Sequence, residues 1–571
     1  MSSQPLSPTP PLPPGSAEAG LGGARSSLFR HAWLALASIF VVVRALPILS
    51  YPLGRDQGTY LTIGQGLLDG KQLYLDLWDN KPPGIFYIYA AIARVFGRTM
   101  WSVPVADILL LLVISYLLFR FAEPCLGSAG AAIAVMVHAS WHGEMRYFWI
   151  AQPETFQVAC VLAAYLLVKR RGRWWKTACL AAGLLLGYAC WLKYNALAFA
   201  PLVLFLPFLN MSGLDREPPR VSLNVPWRDW LARAGLLVAG ASAVGGIVLA
   251  WIVAHGAWPA MKEAQFEVLA RYAAMGVERN PHYWLSMLFR TNRFLGEWNL
   301  WAALAGLLAA WMWRDLARFA TIFLAAASAY AAVVGQVRLH DYYFQTCYPF
   351  FALIWAYLAV RLYEGSCIGA RGLRRRGLRV ASLLVWVLLA QAVFWPLPDE
   401  FGKLAMRYEE LREWRADPEA LYAGYPRQLP FELLRGQLEV IHYLEKNARP
   451  DDGVYVWGSN CLIYFLSRRQ PPTRFVSNLG IISLWSKPSW RGELMRDLRS
   501  SQPSFVIVTE RDALPTITYV NLDSEGYLKT FPELNSFITE NYKPVASFDA
   551  FVVYRRNGYA PSGAEAPRST P

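Results

Sequence analysis

The stretch GIFYIYAAIARVFG, residues 84–97, is apolar enough to enter a membrane but short for a span, and it carries Arg94 with Arg98 just beyond. A spanning helix needs about 20 mostly apolar residues. Such segments are expected at 31–50, 102–119, 126–142, 150–168, 174–192, 195–209, 231–255, 298–313, 317–336, 345–362 and 380–397. If 84–97 lies in the interface as an amphipathic helix, these make about 11 transmembrane helices, and alternate loops on one side collect the basic residues. That side then holds Arg25 and Arg30, Arg120, the cluster from Lys169 to Lys176, Arg216 to Arg228, Arg314 with Arg318, and the run from Arg361 to Arg379. The positive-inside rule requires this arrangement. If 84–97 crosses instead, every later loop flips and the strongest basic clusters face outward. The interfacial reading follows, with the amino terminus cytoplasmic and the carboxyl-terminal part extracytoplasmic.

Composition agrees with a polytopic membrane protein. Of 571 residues 55% are hydrophobic, and there are 24 tryptophans, too apolar and aromatic for an ordinary soluble domain. A net charge of +14 would suit nucleic acid only if it formed a continuous stripe, whereas the cations sit in short clusters between apolar runs. No nucleic-acid partner is expected. The seven cysteines show no CxxC pair, and five of them, Cys125, Cys160, Cys179, Cys190 and Cys347, fall in or beside apolar segments; neither a disulfide framework nor a zinc ribbon is supported. Residues 1–30 are expected to be a disordered cytoplasmic tail, rich in Pro, Ser and Gly at the start, and no cleavable signal is expected. Residues 31–397 form the transmembrane domain, with a first outer loop at 51–101. After 397, short apolar runs such as GVYVWG (453–458), SFVIVTE (504–510) and FVVYRR (551–556) alternate with helical patterns at 433–447 and 490–500. Residues 398–571 therefore read as a soluble α/β domain. The fold class is mainly α, with amphipathic interfacial helices in the first outer loop.

The outer face then gathers most of the ionisable groups of the membrane domain, and such groups at membrane depth are costly and usually mark a site. Asp56 precedes a helical run from Gln57 to Leu68 that Gly70 is expected to end. Its carboxylate either caps that helix or serves as a general base at the water boundary. Lys81, followed by two prolines, stands near a helix amino terminus, where backbone N–H groups favour a phosphate; the plainer reading is an interfacial lysine among lipid headgroups. His138 and His142 are one turn apart, but HExxH is absent and no third ligand is evident, so a metal is not expected there, though not excluded. Glu154, after Pro153, enters an apolar run; it either takes part in chemistry or pairs with Arg146 or Lys193 for packing alone. Arg338 and His340 stand beside Tyr342 and Tyr343, where they serve an interfacial belt or hold an anionic group. The 256–297 loop is basic although it faces out, as an anion site would be.

The first outer loop resembles that of the lipid-phosphate-sugar-dependent glycosyltransferases of the C superfamily. Members include the protein O-mannosyltransferases of glycosyltransferase family 39 and the aminoarabinose transferases of lipid A. The likeness rests on Asp56, Tyr60 to Gly64, Leu67 to Gly70, Lys81 to Pro83 and Phe96-Gly97, and covers roughly residues 31–365. It implies that Asp56 is the catalytic base, that Lys81 meets the donor phosphate, and that Glu154 is a second acidic site residue. Many relatives have Asp-Glu where this chain has Asp56-Gln57. RLHDYYFQTCYPFFAL is similar to a His-Tyr-Tyr segment opening a late span, with Asp341 inserted. The resemblance implies transfer of one sugar from a polyprenyl-phosphate donor to an acceptor (glycan, lipid or protein) on the outer face of a bacterial plasma membrane. Arg146, Arg338 and His340 would assist at the phosphate, with no cofactor. Other readings are a transporter or binding protein for lipid-linked sugars, and a ligase that moves a glycan from a pyrophosphate carrier.

Overall fold

A computed structural model describes residues 16–170, 172–205, 227–275, 282, 285–290, 297–313, 315–336, 340–368, 397–425 and 433–559. The expected span at 380–397 lies almost wholly outside them. Four helices among the described residues are long and apolar enough to cross a membrane, within Ser27–Ser50, Ser102–Gly143, Trp175–Leu192 and Trp227–Ala254. The expected spans 102–119 and 126–142 are the two halves of Ser102–Gly143. They are separated at Gly127, whose φ of 69° and ψ of 172° break the helix just after Pro124; a φ in this region favours glycine. The later segments 150–168, 298–313 and 317–336 are the shorter helices Pro153–Val168, Glu297–Met312 and Leu316–Val334.

The decisive stretch forms a helix of 13 residues, Gly84–Phe96, only about 20 Å long at 1.5 Å per residue, against a hydrocarbon core of about 30 Å. It packs on the helix Arg55–Leu68, and Gly64 makes the close approach possible: a Cβ there would lie 2.6 Å from the Ala90 nitrogen. Between them Tyr60 meets the rings of Phe86 and Tyr89 edge-on. The basic loop after residue 256 is largely helical, from Trp258–Lys262 through a π-helical turn, Glu263–Val268, to Leu269–Ala274.

After residue 433 the chain forms a four-stranded sheet of β1 (Val454–Trp457), β2 (Phe505–Thr509), β3 (Tyr542–Phe548) and β4 (Phe551–Arg556), in the order β1-β2-β4-β3. β1 pairs parallel with β2, with Val454 opposite Phe505, and β4 runs antiparallel to both β2 and β3. The central β2 is buried along its length, as its unbroken Phe-Val-Ile-Val-Thr run requires. β3 holds the edge, where Pro544 costs no central ladder bond and sits at a register shift before Ala546. The helices Leu434–Asn447 and Ser489–Ser501 bury one face each, through Val440, Ile441 and Leu444 and through Trp490, Leu494 and Leu498.

The carboxyl-terminal residues 433–559 pack on the segment 51–101. Gly58 lets them approach: a Cβ there would be 3.0 Å from the Leu462 nitrogen, and Thr62 Oγ1 donates to the Cys461 carbonyl at 2.9 Å. The backbone N–H of Trp78 donates to the Arg474 carbonyl at 2.7 Å, and Lys71 Nζ to that of Pro471 at 3.1 Å. A charged contact closes the other side. Glu263, on the π-helical turn, accepts from Arg474 at 3.1 Å, Lys487 at 2.8 Å and Trp490 Nε1 at 3.0 Å.

Candidate functional site

Asp56 sits in the first turn of the helix Arg55–Leu68. The capping role goes to Gln57, whose Oε1 accepts from the Gly54 N–H at 2.6 Å, so the Asp56 carboxylate is left to face the cavity it lines. Lys81 reaches the same cavity from the other end of the loop. Its carbonyl accepts from Tyr74 Oη and from Gln265 Nε2, both at 2.9 Å, and its N–H donates to Asp79 Oδ1 at 2.9 Å. Fixed in this way two residues before Pro83, the residue preceding the helix Gly84–Phe96, the ammonium lies 5.1 Å from the centre of the Tyr60 ring and 3.9 Å from Asp79 Oδ1.

The cavity measures about 120 Å³. One wall is charged: Arg55, Asp56, Asp79 and Lys81, with His340. Arg55 Nη2 lies 3.2 Å from Asp56 Oδ1, and the two side chains are 14% and 19% exposed, sheltered yet open to a ligand. Burial acts to raise the Asp56 carboxyl, but the Lys81 and Arg55 cations outweigh it and hold the group below its ordinary value. Burial raises Asp79 more than Lys81 lowers it, and its carboxyl stands above its ordinary value. Lys81, despite burial, is pushed up by Asp79 and Asp56 and stays a cation. The other lining residues are uncharged and largely apolar, among them Trp78, Tyr272 and Tyr342, with Trp485, Leu479 and Ile517 from residues 433–559.

The other expected residues are placed as follows. Glu154 is fully buried in the first turn of Pro153–Val168; one carboxylate oxygen accepts from Lys193 Nζ, and the other has no hydrogen-bond partner among the described residues. Lys193 in turn lies 3.5 Å from the centre of the Tyr343 ring. Of the two partners weighed for Glu154, Lys193 is the one it meets. It does not line the cavity. Arg146 is exposed, stacked over Trp149 at 5.4 Å, and is not a lining residue. Arg338 lies outside the described residues. His138 and His142 are buried, and His142 Nε2 is 2.7 Å from Asp107 Oδ2, whose other oxygen accepts the Ala151 N–H at 2.8 Å. Among the described residues no group of three His, Cys, Asp or Glu side chains is arranged for a metal ion.

Sequence reasoning left out Arg55, Asp79, Trp78 and Tyr272. The first two were within reach, adjacent to Asp56 and two before Lys81. Nothing in the sequence marks Trp485, Leu479 or Ile517, which tertiary packing brings over the site.

Residues 80–239 match the sequence profile of the dolichyl-phosphate-mannose-protein mannosyltransferase family, a stretch that takes in Lys81 and Glu154 and begins after Asp56. Residues 436–530 match that of the competence-induced protein Ccs4 C-terminal domain. No curated protein matches the chain in sequence. In fold the chain is similar to ArnT from Cupriavidus metallidurans, in crystal structures bound to undecaprenyl phosphate and in the apo state. Each gives a TM-score of 0.52 at 14% identity over 92% of this chain and 98% of that one. A weaker likeness, TM-score 0.46 at 13% identity over 93% of this chain and 74% of that one, is to the oligosaccharyltransferase AglB from Archaeoglobus fulgidus. The profile match over residues 80–239 and the ArnT-like fold both agree with the resemblance to the C-superfamily glycosyltransferases.

Proposed function

We propose that this protein is an integral membrane glycosyltransferase that moves a single sugar from a polyprenyl-phosphate donor to an acceptor hydroxyl on the outer face of the membrane. The observation that carries the reading is that Asp56 and Lys81, 25 residues apart in the first outer loop, line one cavity with Asp56 held ionised. A carboxylate beside an acceptor hydroxyl takes its proton as the oxygen attacks the anomeric carbon. The bond from that carbon to the phosphate oxygen breaks, and the lipid phosphate leaves with the electron pair against Lys81, Arg55 and His340. Attack opposite the leaving group inverts the anomeric centre. In this reading the positive charge comes from side chains, and no metal or cofactor is assigned. Glu154 acts from outside the cavity through Lys193, which lies 5.7 Å from the ring centre of the lining residue Tyr342; Arg338 is kept as a donor-phosphate candidate.

A carboxylate held by two cations is a poor base. Binding of the donor phosphate at Lys81 takes up one of those charges, so the basicity of Asp56 rises when the donor arrives. That undecaprenyl phosphate is bound by ArnT supports a lipid-phosphate carrier here; the positive-inside distribution supports a cytoplasmic amino terminus, and the bacterial plasma membrane rests on the family resemblance.

The test compares wild type with Asp56→Asn for binding of a polyprenyl-phosphate sugar and for product. Retained binding with product reduced about 10²-fold or more supports the reading. Equal loss of binding and of transbilayer movement, with no product from wild type, would point to a transporter. Consumption of a pyrophosphate-linked donor but not the monophosphate would point to a ligase.

A further inference from the structure

We propose that the carboxyl-terminal domain supplies the acceptor subsite of the cavity, and that the acceptor presents an uncharged saccharide ring to it; the proposal rests on the glycosyltransferase reading above. The cavity lining combines two chemistries. The charged wall suits a sugar phosphate. The rest of the lining is uncharged: Trp485, Leu479, Ile517 and Ser477 come from residues 433–559, and the half-buried rings of Tyr272 and Tyr342 stand beside them.

Three features make this wall a built site and not a chance apolar surface. Trp485 is fixed in orientation, because its Nε1 donates to the Ile517 carbonyl at 3.1 Å. It lies nearly parallel to Trp78, with centroids 6.3 Å apart and planes 25° from each other, while Tyr272 meets it edge-on at 5.8 Å. Trp78 is only 6% exposed, yet its indole Nε1 has no hydrogen-bond partner among the described residues. Its six-membered ring is held against Gly480, where a Cβ would come within 3.0 Å of Cζ3; the N–H is at the opposite edge of the indole. A buried donor without a partner is costly, and an oxygen of a ligand in the cavity would relieve it. A pyranose fits both demands: its C–H face packs against the half-buried Tyr272 ring, which the buried Trp485 (3% exposed) holds edge-on, and its hydroxyl oxygens accept from an indole N–H. A peptide acceptor would need several backbone donors and acceptors matched, and this wall provides none in a row.

The full chain, reconstituted in lipid nanodiscs free of sugar-headed detergent, is tested by saturation-transfer NMR with methyl glycosides of glucose, galactose, mannose and N-acetylglucosamine. A threonine-containing peptide is run in parallel, and undecaprenyl phosphate binding is measured on the same samples. Transfer to the ring C–H protons of at least one glycoside is expected, falling about tenfold in Trp485→Leu and largely kept in Trp485→Phe. Leu479→Trp, which crowds the wall from a partly exposed position, is expected to block the glycoside as well, with undecaprenyl phosphate affinity kept within about twofold in every variant. Transfer that survives both Trp485→Leu and Leu479→Trp overturns the proposal. So does transfer to the peptide alone, transfer to no probe, or a parallel loss of undecaprenyl phosphate binding. Glycoside binding through Trp485 by a protein that makes no product supports the subsite and overturns only the catalytic reading.

Discussion

The side-chain amide of Gln57 donates to the Tyr147 carbonyl at 2.8 Å and to that of Ile150 at 3.1 Å, so one fully buried residue ties the helix bearing Asp56 to the segment leading into Glu154. The segment is held from other directions too. Tyr89 Oη donates to the Ala151 carbonyl at 3.0 Å, and Asp107 accepts from the Ala151 N–H. The departure from the Asp-Glu of many relatives therefore has a structural meaning. An amide offers donors and an acceptor together, whereas an ionised glutamate offers acceptors alone.

Gln57→Glu is accordingly expected to destabilise the protein by about 1–3 kcal/mol, since two buried carbonyls lose their donor and a carboxylate faces them. Thermal unfolding of the purified variant checks this; an unchanged melting temperature would refute the tie.

The pH profile of transfer should report the cations around Asp56. Because its carboxyl is depressed in the folded protein, the base stays ionised as pH falls past the usual carboxylate range near 3.9, and the acid limb of kcat/KM lies below it. Lys81→Met removes a cation that holds the value down, so the acid limb should move to higher pH. Lys81→Arg, which keeps the charge, should leave it nearly in place. A limb that does not move in Lys81→Met would show that Asp56 is not the titrating base.

Glu154 and Lys193 should behave as a buried pair. Lys193→Met strands a carboxylate that is fully buried and is expected to cost about 3–5 kcal/mol. The double variant Glu154→Gln/Lys193→Met should recover much of that loss. Denaturant unfolding of the two singles and the double gives the coupling directly, and simple additivity would mean the pair is not energetically coupled.

Acid should loosen the seat of the carboxyl-terminal domain. Burial raises the Glu263 carboxyl, but its bonds to Lys487 and Arg474 and the charge of Arg474 outweigh it and hold the group below its ordinary value. A depressed carboxylate contributes stability that is present above its unfolded value near 4.3 and lost as pH falls through the folded one. Glu263→Gln should therefore weaken docking at neutral pH by about 1–2 kcal/mol and flatten the acid dependence. Hydrogen exchange across residues 470–490 measures both.

Gly64→Ala is expected to cost about 1–3 kcal/mol, because the added Cβ would meet backbone at Ala90 and force the helices Arg55–Leu68 and Gly84–Phe96 apart. Reduced turnover without loss of expression would place the effect in the first outer loop; a variant as stable as wild type would show that the helices can separate without cost.

Much was determined by the sequence alone, because it is encoded in local order. Apolar length marks the helices, Gly70 and the Lys-Pro-Pro step delimit the helices Arg55–Leu68 and Gly84–Phe96, and the β-runs after residue 453 appear at 454–457, 505–509 and 551–556. Asp56, Lys81 and His340, each an ionisable group beside an apolar boundary in the sequence, line one cavity in the structure. What only the tertiary structure decided depends on contacts between distant segments. The choice of Lys193 over Arg146 as partner of Glu154, the structural use of Gln57, and the seating of Trp485 over Trp78 all join residues far apart in the chain. No periodicity or spacing records such a contact, because the free energy that selects it belongs to the packed pair and is absent from either segment by itself.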